Sequence, residues 1–355
     1  MSEETNRPPE DDTMLAAVLY APRDVRLERR PIPKINPDEV LVRVGAVGVC
    51  GSDVHFYIEG RIGQRVARKP LILGHESAGT VVAVGEQVKS LQVGDRVALE
   101  PGVPCRRCQY CKTGRYNLCP DVVFMAAAVF DGAFCEYYKT PADFAFKLPD
   151  SMTLEDGAML EPLVVGLYSA RRGRLAAGES VVILGSGPIG LMALQAARVF
   201  GATTRIVIDL QRDRLEMAKK LGATHVINAR ELNPVAAVES LLPDGADVVM
   251  EAAGATATIQ MAINLVRRGG RIVWIGMPAQ EHVLVHQWAY MYREVETIAV
   301  FRYHNCYPLA IDLASKGLVD IRSMVTHRFP LAKAAEALET AHAAAPGTIK
   351  VIVEP

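Results

Sequence analysis

Residues 180–200 read SVVILGSGPIGLMALQAARVF. A short β-branched run, SVVIL, leads into Gly185-x-Gly187-x-x-Gly190, and a helix-forming stretch follows directly. The G-x-G-x-x-G spacing alone is weak evidence. Between a strand and a helix it has the context that its mechanism needs. Gly185 permits the tight turn, Gly187 lets the backbone approach a pyrophosphate, and Gly190 allows close helix–strand packing. Pro188 and Ile189 open the helix, whose free N–H groups face the phosphates. Asp209 ends the next strand-like run, TRIVIDL, nineteen residues beyond Gly190. An acid there accepts hydrogen bonds from ribose hydroxyls and repels the extra phosphate of NADP, so NAD is the expected cofactor. Arg214 lies close by, on the adenosine side. The plainer alternative is a glycine turn in a ligand-free domain with Asp209 as a helix cap.

Outward from this stretch the pattern repeats. TRIVIDL precedes RDRLEMAKKLGA, HVIN precedes PVAAVESLL, DVVMEAAG precedes ATIQMAINLVRR, and RIVWIG closes the series. Strands alternating with helices predict a parallel sheet covered on both faces. Upstream the texture differs. LAAVLYAP, DEVLVRVGAVGVC, AGTVVAVG and GDRVALEPG are short β-rich runs between Gly, Pro, Asn and Asp, the pattern of a small barrel or sandwich. Downstream of about residue 300, two helical stretches and a last strand, TIKVIVEP, suggest a return to the first domain.

The chain has 355 residues, 39 Lys+Arg against 40 Asp+Glu, and 50% hydrophobic residues. That length predicts about two domains, and the charge balance gives no reason to expect nucleic acid or an anionic membrane as partner. The polar, acidic start lacks the pattern of a secretory signal, and the apolar run 181–200 is broken by glycines, a proline, a glutamine and an arginine. The expected compartment is the cytoplasm.

Four of the seven cysteines, Cys105, Cys108, Cys111 and Cys119, read C-x2-C-x2-C-x7-C. Four thiolates at short spacing can close a tetrahedron around zinc and leave no place for water, which predicts a structural site. An iron–sulfur cluster is the alternative. Cys135 and Cys306 read as core or pocket-wall thiols. Cys50 in GVCGSDVH, His75 and Glu76 in GHESAG, and Glu161 in LEPL are scattered; read singly, each has an ordinary structural explanation. Three dispersed ligands plus water would make an open, catalytic zinc site.

These motifs stand in one order: GVCGSDVH, GHESAG, GDRVALEPG, the cysteine lobe with GRYNLCP, LEPL, GSGPIG and VFRY. In that order the chain resembles the zinc-dependent medium-chain dehydrogenase/reductase superfamily, and within it the sorbitol/xylitol (polyol) dehydrogenase branch, over roughly Leu15 to Val353. The resemblance implies an α/β protein with a GroES-like β-rich catalytic domain and a Rossmann dinucleotide-binding domain. The implied divisions are a tail at 1–13, the catalytic domain at 14–164, the Rossmann domain at 165–304 and a return segment at 305–355, with the active site in the cleft between the domains.

It further implies two zinc ions per chain. Cys50, His75 and Glu76 would hold the catalytic one, with Glu161 as an exchanging ligand or a base beside its water. Ser52 and His55 match the proton-relay positions. Arg302 and Tyr303 match the segment lining the polyol site, Phe124 matches an apolar wall, and Phe56 stands where many relatives carry tyrosine. The four structural cysteines, which mammalian relatives mostly lack, point to microbial enzymes. The expected reaction is oxidation of a polyol's secondary alcohol to a ketose with NAD. Threonine or butanediol dehydrogenation is the alternative, and a non-catalytic zinc- and nucleotide-binding paralogue the remote one. The expected partners are the substrate and other copies of the chain, as a dimer or tetramer.

Overall fold

The computed structural model describes residues 12–278 and 280–355. Most of the expected tail at 1–13 lies outside the described residues, and Thr13 already begins a strand. In chain order the strands are β1 (Thr13–Ala21), β2 (Asp24–Pro31), β3 (Glu39–Gly48), β4 (Arg61–Ile62), β5 (Arg65–Val66), β6 (Leu71–Ile72), β7 (Glu76–Val84), β8 (Arg96–Leu99), β9 (Gly102–Val103), β10 (Val123–Phe124), β11 (Tyr137–Pro141) and β12 (Ala145–Lys147). Then follow β13 (Ser180–Leu184), β14 (Thr204–Asp209), β15 (His225–Asn228), β16 (Ala246–Glu251), β17 (Val266–Trp274), β18 (Glu296–Ala299), β19 (Val325–Pro330) and β20 (Lys350–Glu354).

The chain divides into two units. The first comprises residues 12–161, 307–315 and 321–355; the second comprises 162–306 and 316–320. Side chains of the second unit hold the short piece 316–320. Gln195 exchanges two hydrogen bonds with the Asp320 backbone, at 2.6 and 3.0 Å, and Arg198 donates to the Leu318 carbonyl.

The first unit is β-rich, of the expected GroES-like class. Its main sheet runs β12-β8-β7-β3-β20-β19, with β11 also on β3. The central strand β3 (EVLVRVGAVG) buries most of its residues. Valines suit it because a β-branched side chain packs well on a pleated, covered surface. Gly48 on β3 faces Glu76 on β7 and Ile352 on β20, so three strands distant in sequence meet at one glycine. The apolar core gathers Val18, Leu19, Val44, Val47, Phe56, Leu71, Phe134, Leu338 and Val353.

In the second unit all strands are parallel, in the order β15-β14-β13-β16-β17-β18. Numbered from its own first strand this is 3-2-1-4-5-6, the Rossmann order. SVVIL is buried at every residue, as a strand covered on both faces must be. One reading is corrected: the segment 257–268, taken as one helix, changes at Leu265, where the helix Thr256–Leu265 gives way to β17. Val266 there pairs with Ala246, and the ladder wins over continued helix.

The returning segment is tied down by Arg322, whose guanidinium bonds both carboxylate oxygens of Asp156 at 2.8 and 2.6 Å. Asp156 also forms a capping box with Thr153 at the helix Leu154–Ala158. Burial pushes the Asp156 carboxyl up, but Arg322 and Thr153 more than offset it and hold it below the ordinary carboxylate value. Its stabilising contribution is therefore complete above the ordinary carboxylate pKa and fades as pH falls through the depressed folded value. Asp156→Asn should cost about 2 kcal/mol at neutral pH, and the gap to the parent should close in acid. Urea unfolding at pH 7 and pH 3 checks both.

Candidate functional site

Cys50 follows β3 and caps the helix Gly51–Glu59. Its backbone N–H donates to Asp53 Oδ2 at 3.0 Å, while Asp53 Oδ1 accepts the Gly74 N–H at 3.0 Å and lies 3.5 Å from His75 Nδ1. One buried carboxylate thus ties the Cys50 turn to the His75 turn and orients the imidazole. Gly74 has φ +87°, and a Cβ there would meet the Phe134 ring at 2.6 Å, so only glycine serves. Glu76 begins β7 opposite Gly48, where a Cβ would fall 2.0 Å from Glu76 Oε2. The missing side chain makes the space that the carboxylate occupies.

The donor atoms of Cys50, His75 and Glu76 all lie within 4.8 Å of one another. Lys350 enters from β20, 2% exposed, with its Nζ against Glu76 Oε2 and donating to the Val49 carbonyl at 2.9 Å. Burial would push its ammonium down, but Glu76, Cys50 and Glu161 hold it up and charged. Burial likewise acts to lower His75, and Asp53 and Cys50 overcome it. The cluster therefore concentrates two carboxylates and a thiol around one lysine, and Glu76 Oε1 is buried without a hydrogen-bond partner. A buried acceptor with nothing to accept is costly, and a sulfur, nitrogen and oxygen donor set suits zinc. The residues fit a zinc ion.

Glu161 is buried in the same unit and acts electrostatically on Lys350 and Glu100, but its carboxylate is not among the three convergent donors. Ser52 lies in the first turn of the helix Gly51–Glu59, and His55 one turn on, with its Nδ1 3.4 Å from Glu59 Oε1. Phe124 on β10 sets its ring 5.6 Å from the His75 ring. Phe56 is packed in the apolar core, 2% exposed, which gives it a packing role.

The four-cysteine lobe springs from the β9–β10 pair. Sγ–Sγ distances are 3.4 Å for Cys108–Cys111 and 3.9 Å for Cys105–Cys111, bracketing the about 3.8 Å edge of a tetrahedron with zinc–sulfur bonds of about 2.3 Å. Backbone N–H groups of Arg107 and Cys108 pull the Cys105 thiol down to about 6, while burial and neighbouring thiols push Cys111 up to about 12. The four cannot all ionise without a cation, and the site fits zinc with no open position. Tyr116 anchors the lobe by donating to the buried Glu100 at 2.7 Å. Burial raises the Glu100 carboxyl to about 7 despite that bond.

In the second unit Gly185 has φ +94°, and a Cβ on Gly190 would sit 1.9 Å from the Gly185 carbonyl oxygen. Gly187 caps the helix Pro188–Val199, and a Cβ there would meet only Arg214, at 3.8 Å. The helix start is thus bare, as a pyrophosphate requires. Asp209 accepts from the Ser186 N–H at 2.6 Å and from those of Leu210 and Gln211 at 2.7 and 2.9 Å. Arg302 has φ +52°, rare for a side chain of its size, and its guanidinium stacks over Phe301; Tyr303 beside it is buried.

Sequence reading missed Asp53 and Lys350. Asp53 was within reach, since an acid three residues after a helix cap signals a capping box. Lys350 gave no signal, because only the strand order brings it to Glu76.

Both units match family models: residues 36–150 match the alcohol dehydrogenase GroES-like domain and residues 188–316 the zinc-binding dehydrogenase model. The chain belongs to the zinc-binding dehydrogenases that carry a GroES-like domain, and it is an oxidoreductase whose family uses zinc and a nicotinamide dinucleotide. Sorbitol dehydrogenase of Bacillus subtilis is 47% identical over 96% of this chain and 97% of its own length. Among solved structures, an Escherichia coli oxidoreductase of unknown specificity superposes with TM-score 0.93 at 40% identity, covering 96% of this chain and 99% of that one. The 2R,3R-butanediol dehydrogenase of Bacillus subtilis gives TM-score 0.88 at 30% identity, covering 96% and 99%. Among the described residues no helix is long and apolar enough to cross a membrane.

Lys350→Met leaves the Glu76 carboxylate buried without its cation. Loss of one partner of a buried pair should cost the zinc-free protein about 3 kcal/mol, and the zinc-loaded protein less, because zinc takes up the same charge. Denaturation of parent and variant with chelator and with zinc checks the difference.

Proposed function

We propose that the chain oxidises a secondary hydroxyl of a polyol to a ketone, passing hydride to NAD and releasing a proton. The observation that carries this is the convergence of Cys50, His75 and Glu76 in one buried cluster. The polyol class is supported by the similarity to sorbitol dehydrogenase. When bound, zinc supplies a Lewis acid that makes the hydroxyl proton easier to lose, and NAD accepts the hydride. Cys50, His75 and Glu76 hold the metal, Asp53 fixes the imidazole, and Lys350 balances the Glu76 charge. Glu161 holds water or takes the proton, and Ser52 passes it to His55, whose Glu59 neighbour is exposed.

Arg302 and Tyr303 meet further hydroxyls of the substrate, and Phe124 covers the His75 side. Gly185, Gly187, Pro188, Ile189 and Gly190 offer the pyrophosphate a bare turn and free N–H groups. Asp209 uses its remaining acceptor capacity on a ribose hydroxyl and repels a 2′-phosphate; Arg214 lies along the adenosine. Four cysteines gathered as for a metal suit a reducing compartment, the cytoplasm.

Rates across sorbitol, xylitol, ribitol, L-arabinitol, galactitol, threonine and 2,3-butanediol, each with NAD and NADP, test this reading. The expected result is a polyol turned over fastest, with NAD well ahead of NADP. Butanediol winning would favour the second reading, which the solved butanediol dehydrogenase structure supports.

We also infer a homo-oligomer. β18 is an edge of its sheet, and Leu284, Trp288, Met291 and Tyr292 nearby in sequence are largely exposed. Apolar surface of that kind marks a contact. Trp288→Glu with Leu284→Asp should lower the mass measured by light scattering.

A further inference from the structure

Glu251 is a buried acid with no role in the proposed reaction. Glu251 ends β16 and is wholly buried. Its register partners are Leu184 on β13 and Trp274 on β17, so it stands between the carboxyl ends of two strands. In a sheet of this order the dinucleotide lies in the crevice at those ends. Glu251 Oε1 accepts three hydrogen bonds: from the N–H groups of Ala253 and Gly254, at 3.0 and 2.9 Å, and from the Thr258 hydroxyl at 2.7 Å. Its backbone carbonyl accepts from Ile275 and Gly276, both at 2.8 Å.

The three loops are packed backbone to backbone around this residue. A Cβ on Gly185 would lie 3.0 Å from Ala253, one on Gly254 would lie 2.5 Å from the Met277 carbonyl oxygen, and one on Gly276 would lie 2.3 Å from the Gly254 nitrogen. Glu251 Oε2 faces the same place: it has no hydrogen-bond partner and would be 2.8 Å from a Cβ on Gly276. A buried polar atom left unpaired is a cost that ordinary packing does not require.

We propose that Glu251 is a positioning residue for the dinucleotide. Its carboxyl group fixes the loop 252–255 against the Gly185 turn and against the loop 275–277, and so sets the backbone on which the cofactor rests. This rests on the reading of Gly185–Gly190 as the NAD site. Burial raises the Glu251 carboxyl above its ordinary value, against the pull of the Thr258, Gly254 and Ala253 hydrogen bonds.

The test is the Kd for NADH, measured by fluorescence titration of the full zinc-loaded chain. Glu251→Gln keeps an oxygen for all three bonds, and its Kd should stay within about twofold of the parent. Thr258→Val removes one bond and should raise Kd roughly three- to fivefold; Glu251→Leu removes all three and should raise it roughly tenfold or more. Zinc content and the KM for the polyol at saturating NAD should not move. A parent-like Kd in Thr258→Val overturns the inference, whether or not Glu251→Leu folds. Glu251→Gln as damaging as Glu251→Leu overturns it too, because charge and not the bonded loops would then be at work. Failure of the parent to bind NADH would instead bring down the cofactor reading, and this inference with it.

Discussion

The contact between Glu76 and Lys350 ties the order of the first unit's sheet to its donor cluster. Both side chains are almost wholly buried, and a lone charge in such a place is expensive. The sheet is built to let them meet. The neighbours β7, β3 and β20 bring them together at Gly48, where any larger residue would displace the carboxylate. Lysine answers only one Glu76 oxygen. The other stays open beside Cys50 and His75, and its unused acceptor capacity makes the cluster a place for a cation as well as an ion pair.

The two cysteine-bearing clusters solve the same problem in opposite ways. In the lobe, four sulfurs crowd one point and backbone N–H groups bond to three of them, so a metal there would be fully enclosed. Around Cys50 the donors are three, of three chemical kinds, held by a carboxylate that is not itself a ligand. The lobe is nevertheless joined to that second cluster. β9 and β10 form its neck, and the residue closing the neck, Phe124, lies on the His75 ring.

What was legible in the sequence was local. Strand, glycine turn, helix and acid follow one another from Ser180 to Asp209, and each is specified by residues a few positions apart, so that stretch could be read directly. The cysteine spacing was legible for the same reason. The first unit read only as β-rich, because the order β12-β8-β7-β3-β20-β19 depends on pairings between distant segments that no short window records. Hence Lys350 went unseen. Glu251 did too: DVVMEAAG reads as a strand and a turn, and nothing in it says that three loops close on its acid. Phe56 is a different case. It stands where many relatives carry tyrosine, and its neighbours bury it in the core.

The position of Lys350 on the last strand has a consequence for biosynthesis. Cys50, His75 and Glu76 leave the ribosome first, and at about 5–20 residues per second the remaining stretch to Lys350 takes on the order of 15–60 s. Throughout that interval the nascent polypeptide carries the acidic half of the pocket without the ammonium that balances it, and the sheet lacks the strand next to β3. The whole Rossmann unit is translated in between. The order of events is written into which strand carries the lysine.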